Sequence, residues 1–340
     1  MGKEKKNILI ASNHLASIGG SELYTYDLIK ALTTSSDLEI EYFTLEKGLI
    51  SEKIEEELRV PFMTRKKYDL ILASHHTAVE ELFNRGPIIQ ICHGVIPQLE
   101  QPSPLADYHV AISEEISHHL RHLGYANDVV LNGIDIQVKR PIKPINKTLK
   151  SVLSLCQSDH ANELLQSVCD SKGLRFQAYS KHKNPTDAVE QEINNFDLVV
   201  GIGRSVYDAM ACGRPCVVYD DRGYNGNKAD GYLRPELFSE YVKMNCSGRY
   251  LNRQYQKEDL IRELEKYNPE DGEKLRDIAV SNLNAYKMAD QLLSLTHQFN
   301  WGNRLKKWKR FTKNTKLVKR AFLYKKLYSI TKNKYFDRSG

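Results

Sequence analysis

Val199-Val-Gly-Ile-Gly-Arg-Ser-Val-Tyr-Asp-Ala-Met-Ala-Cys-Gly-Arg-Pro-Cys-Val-Val-Tyr219 alternates apolar runs with glycine. It reads as strand, glycine turn, short helix, glycine stop, strand. Leu198-Val199-Val200, following Asp197, is an apolar run suited to a buried parallel strand. Gly201 and Gly203 permit a sharp turn, and Ser205 is placed to cap a helix through Tyr207, Met210 and Ala211. Gly213 and Pro215 end that helix, and Cys216 opens the next strand. A helix that starts beyond the carboxyl end of a parallel strand points N–H groups at an anion. An ordinary strand–helix connection has the same spacing, so spacing alone leaves both readings open.

Residues 203–218 resemble the donor-nucleotide segment of glycosyltransferase family 4, whose members are retaining, nucleotide-sugar-dependent enzymes of the GT-B fold. That segment commonly reads Glu-Gly-Phe-Gly, four residues, then Glu-Ala-Met-Ala-x-Gly-x-Pro-Val-Val. The resemblance implies that Asp208 holds the nucleotide ribose and that Gly203, Arg204, Ser205 and Val206 lie against the donor. On this resemblance the chain looks like a divergent member: Val200 stands where relatives have the Glu that contacts the donor sugar. A second departure is Cys156-Gln-Ser-Asp-His-Ala-Asn162, which lacks the Arg and Lys that relatives set on the donor diphosphate. Losing two such cations removes on the order of several kcal/mol of transition-state stabilisation. Arg204 is the expected substitute, with Lys228 and Arg222 behind it; the other reading of Arg204 is an ion pair.

Upstream, Asn7-Ile-Leu-Ile-Ala11 reads as a buried strand, followed by Gly19-Gly20 and a helix with apolar positions 24, 28, 31 and 32 on one face. Such glycines let backbone approach a phosphate or sugar. The resemblance sets Gly19 and Gly20 beside the donor phosphates and acceptor, and Glu22 completes the family's Gly-Gly-x-Glu. Further strands are expected over 38–44, 68–74, 87–92 and 108–113, with a charged helix over 51–58. His93 follows a strand, and the resemblance implies that it faces the reacting sugar as the catalytic residue; a structural loop histidine is the alternative. His75 and His76 read as loop residues. His118, His119 and His122 read as a solvated helix face without metal-ligating company.

Asn132-Gly-Ile-Asp135, with Arg140-Pro141, resembles the end of the family's first domain, and 141–150 suits a linker. Beyond it, strands are expected over 151–155 and 175–179, a helix over 188–195, and a polar cleft-lining loop over 220–227. Asn245-Cys-Ser-Gly-Arg249 has no chemical role that the sequence assigns. A long helix over 272–299 is expected to cross back onto the first domain, as in GT-B folds.

The 340-residue chain can bury two α/β cores, and 41% hydrophobic with 27% charged residues is an ordinary globular composition. Cysteines at 92, 156, 169, 212, 216 and 246 form no C-x-x-C pair, so buried thiols in a reducing compartment are expected. No leader peptide and no membrane span is expected. Charge is uneven: residues 301–340 hold 14 Lys or Arg against Asp337, leaving the first 300 at −7. Trp301, Leu305, Trp308, Phe311, Val318 and Phe322 interleave with these bases at mostly helical spacing, which reads as a membrane-surface helix. Nucleic acid is the competing partner for such charge, and no nucleic-acid module accompanies it.

The expectation is therefore an α/β protein of GT-B type, with two Rossmann-like parallel-sheet domains facing a cleft and a basic amphipathic tail. Its domains are an acceptor-side 1–140, a linker 141–150, a nucleotide-sugar-binding 151–285, a crossing-back helix 286–300 and the tail 301–340. The resemblance implies transfer of a hexosyl sugar, with retention, from a nucleoside diphosphate to a glycan or lipid-linked acceptor in cell-surface polysaccharide synthesis. It also implies no metal, and a cytoplasmic protein peripherally bound to an anionic membrane face. Two rivals stand beside it: a non-catalytic glycan- or partner-binding protein, and a sugar-nucleotide epimerase using cleft carboxylates such as Asp220 or Asp221.

Overall fold

Strands of Ile, Leu, Val and Ala that are apolar at every position can only be sheet interior under helices on both faces. The computed structural model describes residues 5–180, 183, 184, 186, 188–299, 305, 307 and 309, and it contains two such sheets. The first comprises β1 (Lys6–His14), β2 (Leu38–Glu46), β3 (Leu70–Ala73), β4 (Ile88–Cys92), β5 (Tyr108–Ala111) and β6 (Asn127–Val129). All pair in parallel, in the order β2-β1-β3-β4-β5-β6. Its crossovers carry α1 (Gly20–Leu32), α2 (Leu49–Glu57), α3 (His76–Leu82) and α4 (Glu114–His122). The second sheet comprises β7 (Ser151–Ser154), β8 (Arg175–Ala178), β9 (Leu198–Gly201), β10 (Cys216–Arg222) and β11 (Gly226–Tyr232), in the order β11-β10-β9-β7-β8. With it come α5 (Asp159–Ser171), α6 (Val189–Asn194), α7 (Arg204–Ala211), α8 (Phe238–Tyr241), α9 (Lys257–Leu264), α10 (Pro269–Asn282) and α11 (Ala285–Ser294). The expected pair of Rossmann-like parallel-sheet domains is what forms.

Three local expectations are corrected. The polar stretch 220–227 is not a simple loop: β10 runs on to Arg222 and turns into β11, which pairs antiparallel to it. Ser205 does not cap α7; Gly203 does, at φ +58°, a conformation a side chain would resist. The single helix expected over 272–299 is broken into α10 and α11.

That break is where the chain passes between domains a second time. The Ile134 N–H donates to the Leu283 carbonyl at 2.6 Å, and the Ala285 N–H donates to the Ile134 carbonyl at 3.0 Å. The Asn284 side chain then caps α11 by accepting from the Tyr286 N–H at 2.9 Å. The two crossings run so close that a Cβ on Gly133 would sit 2.6 Å from the Ala285 Cα. From there α11 packs on α1, and Met288, Ala289 and Leu292 join Tyr24 and Leu28 in the first-domain core. The helix that lies on the first domain after the second crossing is Ala285–Ser294.

The linker is fastened to the second domain. Asn194 Oδ1 accepts from the Ile142 N–H (2.7 Å), and Asp197 accepts from the N–H groups of Asn146 and Lys150 (both 3.0 Å). The Arg214 guanidinium, fully buried, donates to the carbonyls of Lys143, Asn194, Phe196 and Cys212. All six cysteines are buried and unbridged.

Most of the basic tail lies outside the described residues. Lys307 Nζ donates to Asp107 Oδ2 at 2.8 Å, at the amino ends of β4 and β5. No helix among the described residues is long and apolar enough to cross a membrane.

Leu292 is fully buried far along the sequence from the core it serves. Leu292→Ala should cost about 2–5 kcal/mol, read as a lowered urea midpoint with unchanged slope; a loss below about 0.5 kcal/mol, the size of a surface substitution, would contradict the packing.

Candidate functional site

In an open parallel sheet, ligand residues gather at the carboxyl ends of strands, beside the point where strand order reverses. That point lies between β1 and β3 in the first sheet and between β7 and β9 in the second. Both sets of carboxyl ends face one cleft of about 800 Å³, a size that suits a small-molecule ligand. His14, His75 and His93 reach it from the ends of β1, β3 and β4; Gln157, Ser205 and Arg222 reach it from the ends of β7, β9 and β10.

The first-domain wall is a cluster of imidazoles and carboxyls. His14 Nε2 lies 3.1 Å from Glu22 Oε1, and Ser21 Oγ donates to Glu22 Oε2 at 2.7 Å. Burial alone would raise Glu22, but these hydrogen bonds outweigh it and hold the carboxyl below its usual range. His75 stacks on His14 at 5.5 Å and is 2% exposed. The Asn13 N–H donates to His75 Nδ1 at 3.1 Å, which leaves the neutral ring's proton on Nε2. His93 meets Tyr24 edge-on at 4.7 Å and lies 6.3 Å from His75; its Nε2 is buried without a hydrogen-bond partner. Burial, aided by neighbouring positive charge, pushes His93 down to about 3 and His75 to about 4. Both rings are therefore neutral at physiological pH. Glu100 goes the other way: burial, only partly offset by Arg222 and Arg249, lifts it to about 7.

The second-domain wall is the start of α7. The first intrahelical bond runs from the Val206 N–H to the Gly203 carbonyl (3.0 Å), so the N–H groups of Arg204 and Ser205 precede the helix's own ladder. The Asn245–Arg249 phrase acquires a role here. The Cys246 carbonyl accepts from the Gly203 N–H at 2.8 Å, and Asn245 Oδ1 accepts from Tyr207 Oη at 3.0 Å. Arg249 spans the cleft rim to Glu115 of α4, with Nε to Oε1 at 2.7 Å.

Not every residue expected at the donor lies free at the cleft. Gly203, Ser205, Gly19, Gly20 and His93 all line it. Val206 does not: it is 1% exposed and belongs to the second-domain core. Arg204 lines the cleft but is already paired. Its Nη2 bonds Asp27 of α1, its Nη1 reaches the Gly133 carbonyl at 3.4 Å, and its Nε lies 3.8 Å from Asp208 Oδ2. At 8% exposure it ties the two domains and the crossing together, the ion-pair reading of this residue. Asp208, 3% exposed, has Lys139 Nζ 3.8 Å from an Oδ1 that makes no hydrogen bond. Gly19 lies beneath the Glu22 carboxylate, so an anion already occupies the mouth of α1.

Sequence reasoning missed Glu100 and Arg249 and set His75 aside. The signal for His75 was its place directly after a strand, the same signal that singled out His93. Asp220 and Asp221 are tied to Arg222 (2.7 Å) and His160 (2.9 Å).

No protein-family model and no curated protein sequence matches this chain. Solved structures do match it in shape. An O-GlcNAc transferase mutant of Thermobaculum terrenum superposes at TM-score 0.54 with 9% identity, over 90% of this chain and 69% of that one. A UDP-N-acetylglucosamine 2-epimerase gives 0.52 at 9% identity, over 86% and 97%. The catalytic domain of starch synthase IV from Arabidopsis thaliana, bound to ADP and acarbose, gives 0.52 at 10% identity, over 87% and 100%. At such identities the likeness establishes the fold, which is GT-B.

The cleft groups titrate with opposite signs. A buried neutral His binds no proton where the unfolded chain does, so stability falls as pH drops from about 6.5 toward 4, by at most about 1.4 kcal/mol per unit for each ring. Glu100, raised to about 7, is protonated in the fold before it is in the unfolded chain, so it loses stability as pH rises from 4.5 through 7. Urea unfolding at pH 5, 6 and 7 should show His75→Gln flattening the acid loss and Glu100→Gln steepening it. Parallel curves for all three proteins would refute these environments.

Proposed function

We propose that the cleft transfers a sugar from a nucleoside diphosphate donor to a hydroxyl of a glycan or lipid-linked acceptor. The observation that carries the reading is that the first residues of α7, whose N–H groups precede the helix's own ladder, Asp208 with its unbonded Oδ1, and His93 all line one cleft. Helix N–H groups and their partial positive charge of about one half favour a phosphate. A ribose hydroxyl would give Asp208 the donor its buried oxygen lacks. Arg222 and Arg249, both on the cleft and more exposed than Arg204, are the cations that would meet the diphosphate, each shared with a carboxylate, Asp220 and Glu115. His93, held neutral, offers a hydrogen bond to the sugar without adding charge.

The resemblance at 203–218 adds the finer features: retention, a hexosyl donor, no metal, and a place in cell-surface polysaccharide synthesis. The basic tail adds a cytoplasmic membrane face, since several bases at an anionic leaflet contribute on the order of 1 kcal/mol each. A second reading, epimerisation of a sugar nucleotide, gains from the carboxyls of Glu22 and Glu100 on the cleft. It differs in needing no acceptor.

Thermal unfolding with UDP, GDP, ADP and dTDP tests the site. The fitting nucleotide at 100 times its Kd should add about 2.7 kcal/mol, a rise of several degrees, and Asp208→Asn should reduce it. No rise with any of the four would overturn the donor-site reading.

A further inference from the structure

Among the described residues three arginines line the cleft, and their carboxylate partners differ in how readily they can be given up. The side chains of Arg204 and Asp27 are 7% and 4% exposed, so parting them would strand a buried charge. Arg222 is paired with Asp220 of its own strand, 1% exposed, which also accepts from the Gln157 N–H at 3.1 Å. Arg249 alone has a partner in the other domain that reaches water: its side chain is 21% exposed and that of Glu115 is 18% exposed. Glu115 lies in the first turn of α4, where the helix N-terminus stabilises a carboxylate with or without Arg249.

The segment that carries Arg249 is a fixed support. Asn245 and Cys246 hold successive positive φ values, +54° and +45°, a costly conformation that persists only where neighbours enforce it. The Cys246 carbonyl on the Gly203 N–H and Asn245 Oδ1 on Tyr207 Oη bind the segment to the start of α7. Gly248, at φ +81°, lies so close to β11 that a Cβ would stand 2.7 Å from the Lys228 backbone. Asn225 Nδ2 donates to the Ser247 carbonyl at 3.3 Å, and Asn225 Oδ1 accepts from Arg249 Nη1 at 3.1 Å. Ser247 itself lines the cleft at 6% exposure, and its Oγ has no hydrogen-bond partner among the described residues. A buried hydroxyl two residues from an exchangeable guanidinium is a donor pair without its anion.

We propose that Ser247 and Arg249 form a seat for a phosphate of the donor diphosphate, and that Glu115 is the competitor for that seat built into the first domain. This rests on the transfer reading above. The phosphate takes the guanidinium from Glu115 and gives the Ser247 hydroxyl an acceptor. Glu115 returns to water at the rim. Loading the donor thus exchanges an interdomain ion pair for a bond to the ligand, and the rim is unfastened by the molecule that fills the cleft.

The test is calorimetric titration of the full chain with UDP, GDP, ADP and dTDP at fixed ionic strength. It compares wild type, Glu115→Gln, Ser247→Ala, Arg249→Gln and the double variant Glu115→Gln/Arg249→Gln. The nucleotide that binds should bind Glu115→Gln about three- to fivefold more tightly than wild type. It should bind Ser247→Ala about fivefold more weakly, and Arg249→Gln about tenfold more weakly or worse. In the double variant the gain from Glu115→Gln should vanish, because no guanidinium is left to release. Arg249→Met takes the place of Arg249→Gln if that protein does not fold. Unchanged affinity in Glu115→Gln or in Ser247→Ala overturns the proposal and leaves the transfer reading intact. So does a gain that persists without Arg249, which is the mark of simple relief from charge repulsion. No binding of any of the four, to wild type or to Glu115→Gln, overturns the donor-site reading and the phosphate seat with it.

Discussion

A guanidinium out of water needs an anion, and Arg204 finds Asp27 in the other domain. An unpaired buried charge is so costly that the two side chains must stay together once either is buried. Because Asp27 lies in the middle of α1 and Arg204 opens α7, this contact ties the body of one helix to the start of the other across the domain boundary. Lys30 to Asp135 at 2.8 Å and Arg204 to the Gly133 carbonyl add the crossing segment to the same cluster. At the far rim Arg249 meets Glu115. The facing of the two sheets is therefore held by charge near the hinge and again at the opening.

The cleft divides its charge between its walls. The first domain contributes imidazoles kept neutral by burial, one ionised carboxyl and one poised near neutrality. The second contributes the start of α7 and Arg222. In the proposed reaction an anionic diphosphate belongs on the second wall and the acceptor on the first. Glu22 over Gly19 makes the mouth of α1 the poorer place for a phosphate, although the glycine pair marks it in the sequence.

The sheets were legible because strands such as Leu70–Ala73 and Leu198–Gly201 are buried at every position and carry no polar alternation to mislead. β11 was not, because Gly226-Asn-Lys-Ala-Asp-Gly-Tyr232 has turn composition, and only pairing to β10 makes it a strand. The break between α10 and α11 was hidden for a like reason: Asn284 caps a helix only because Ile134, some 150 residues earlier, takes the backbone bonds beside it. At the site, His93 could be placed from the sequence at the end of a strand, and it lines the cleft. The pairing of Arg204 could not be read, since Asp27 is 177 residues away and nothing local marks it as a partner. Glu100 was silent because its character comes from burial and from an absence of partners, neither of which a sequence displays.

The claim on which the cleft's geometry depends is that Asp27 and Arg204 act as one unit across the domain boundary. A double-mutant cycle on Asp27→Ala and Arg204→Ala, read by urea unfolding, measures it. Coupling above about 1 kcal/mol is the expected result, because each single change strands a buried charge that the double change removes. Additivity within about 0.3 kcal/mol would mean that the domains are held by other contacts and would free Arg204 to serve the ligand instead.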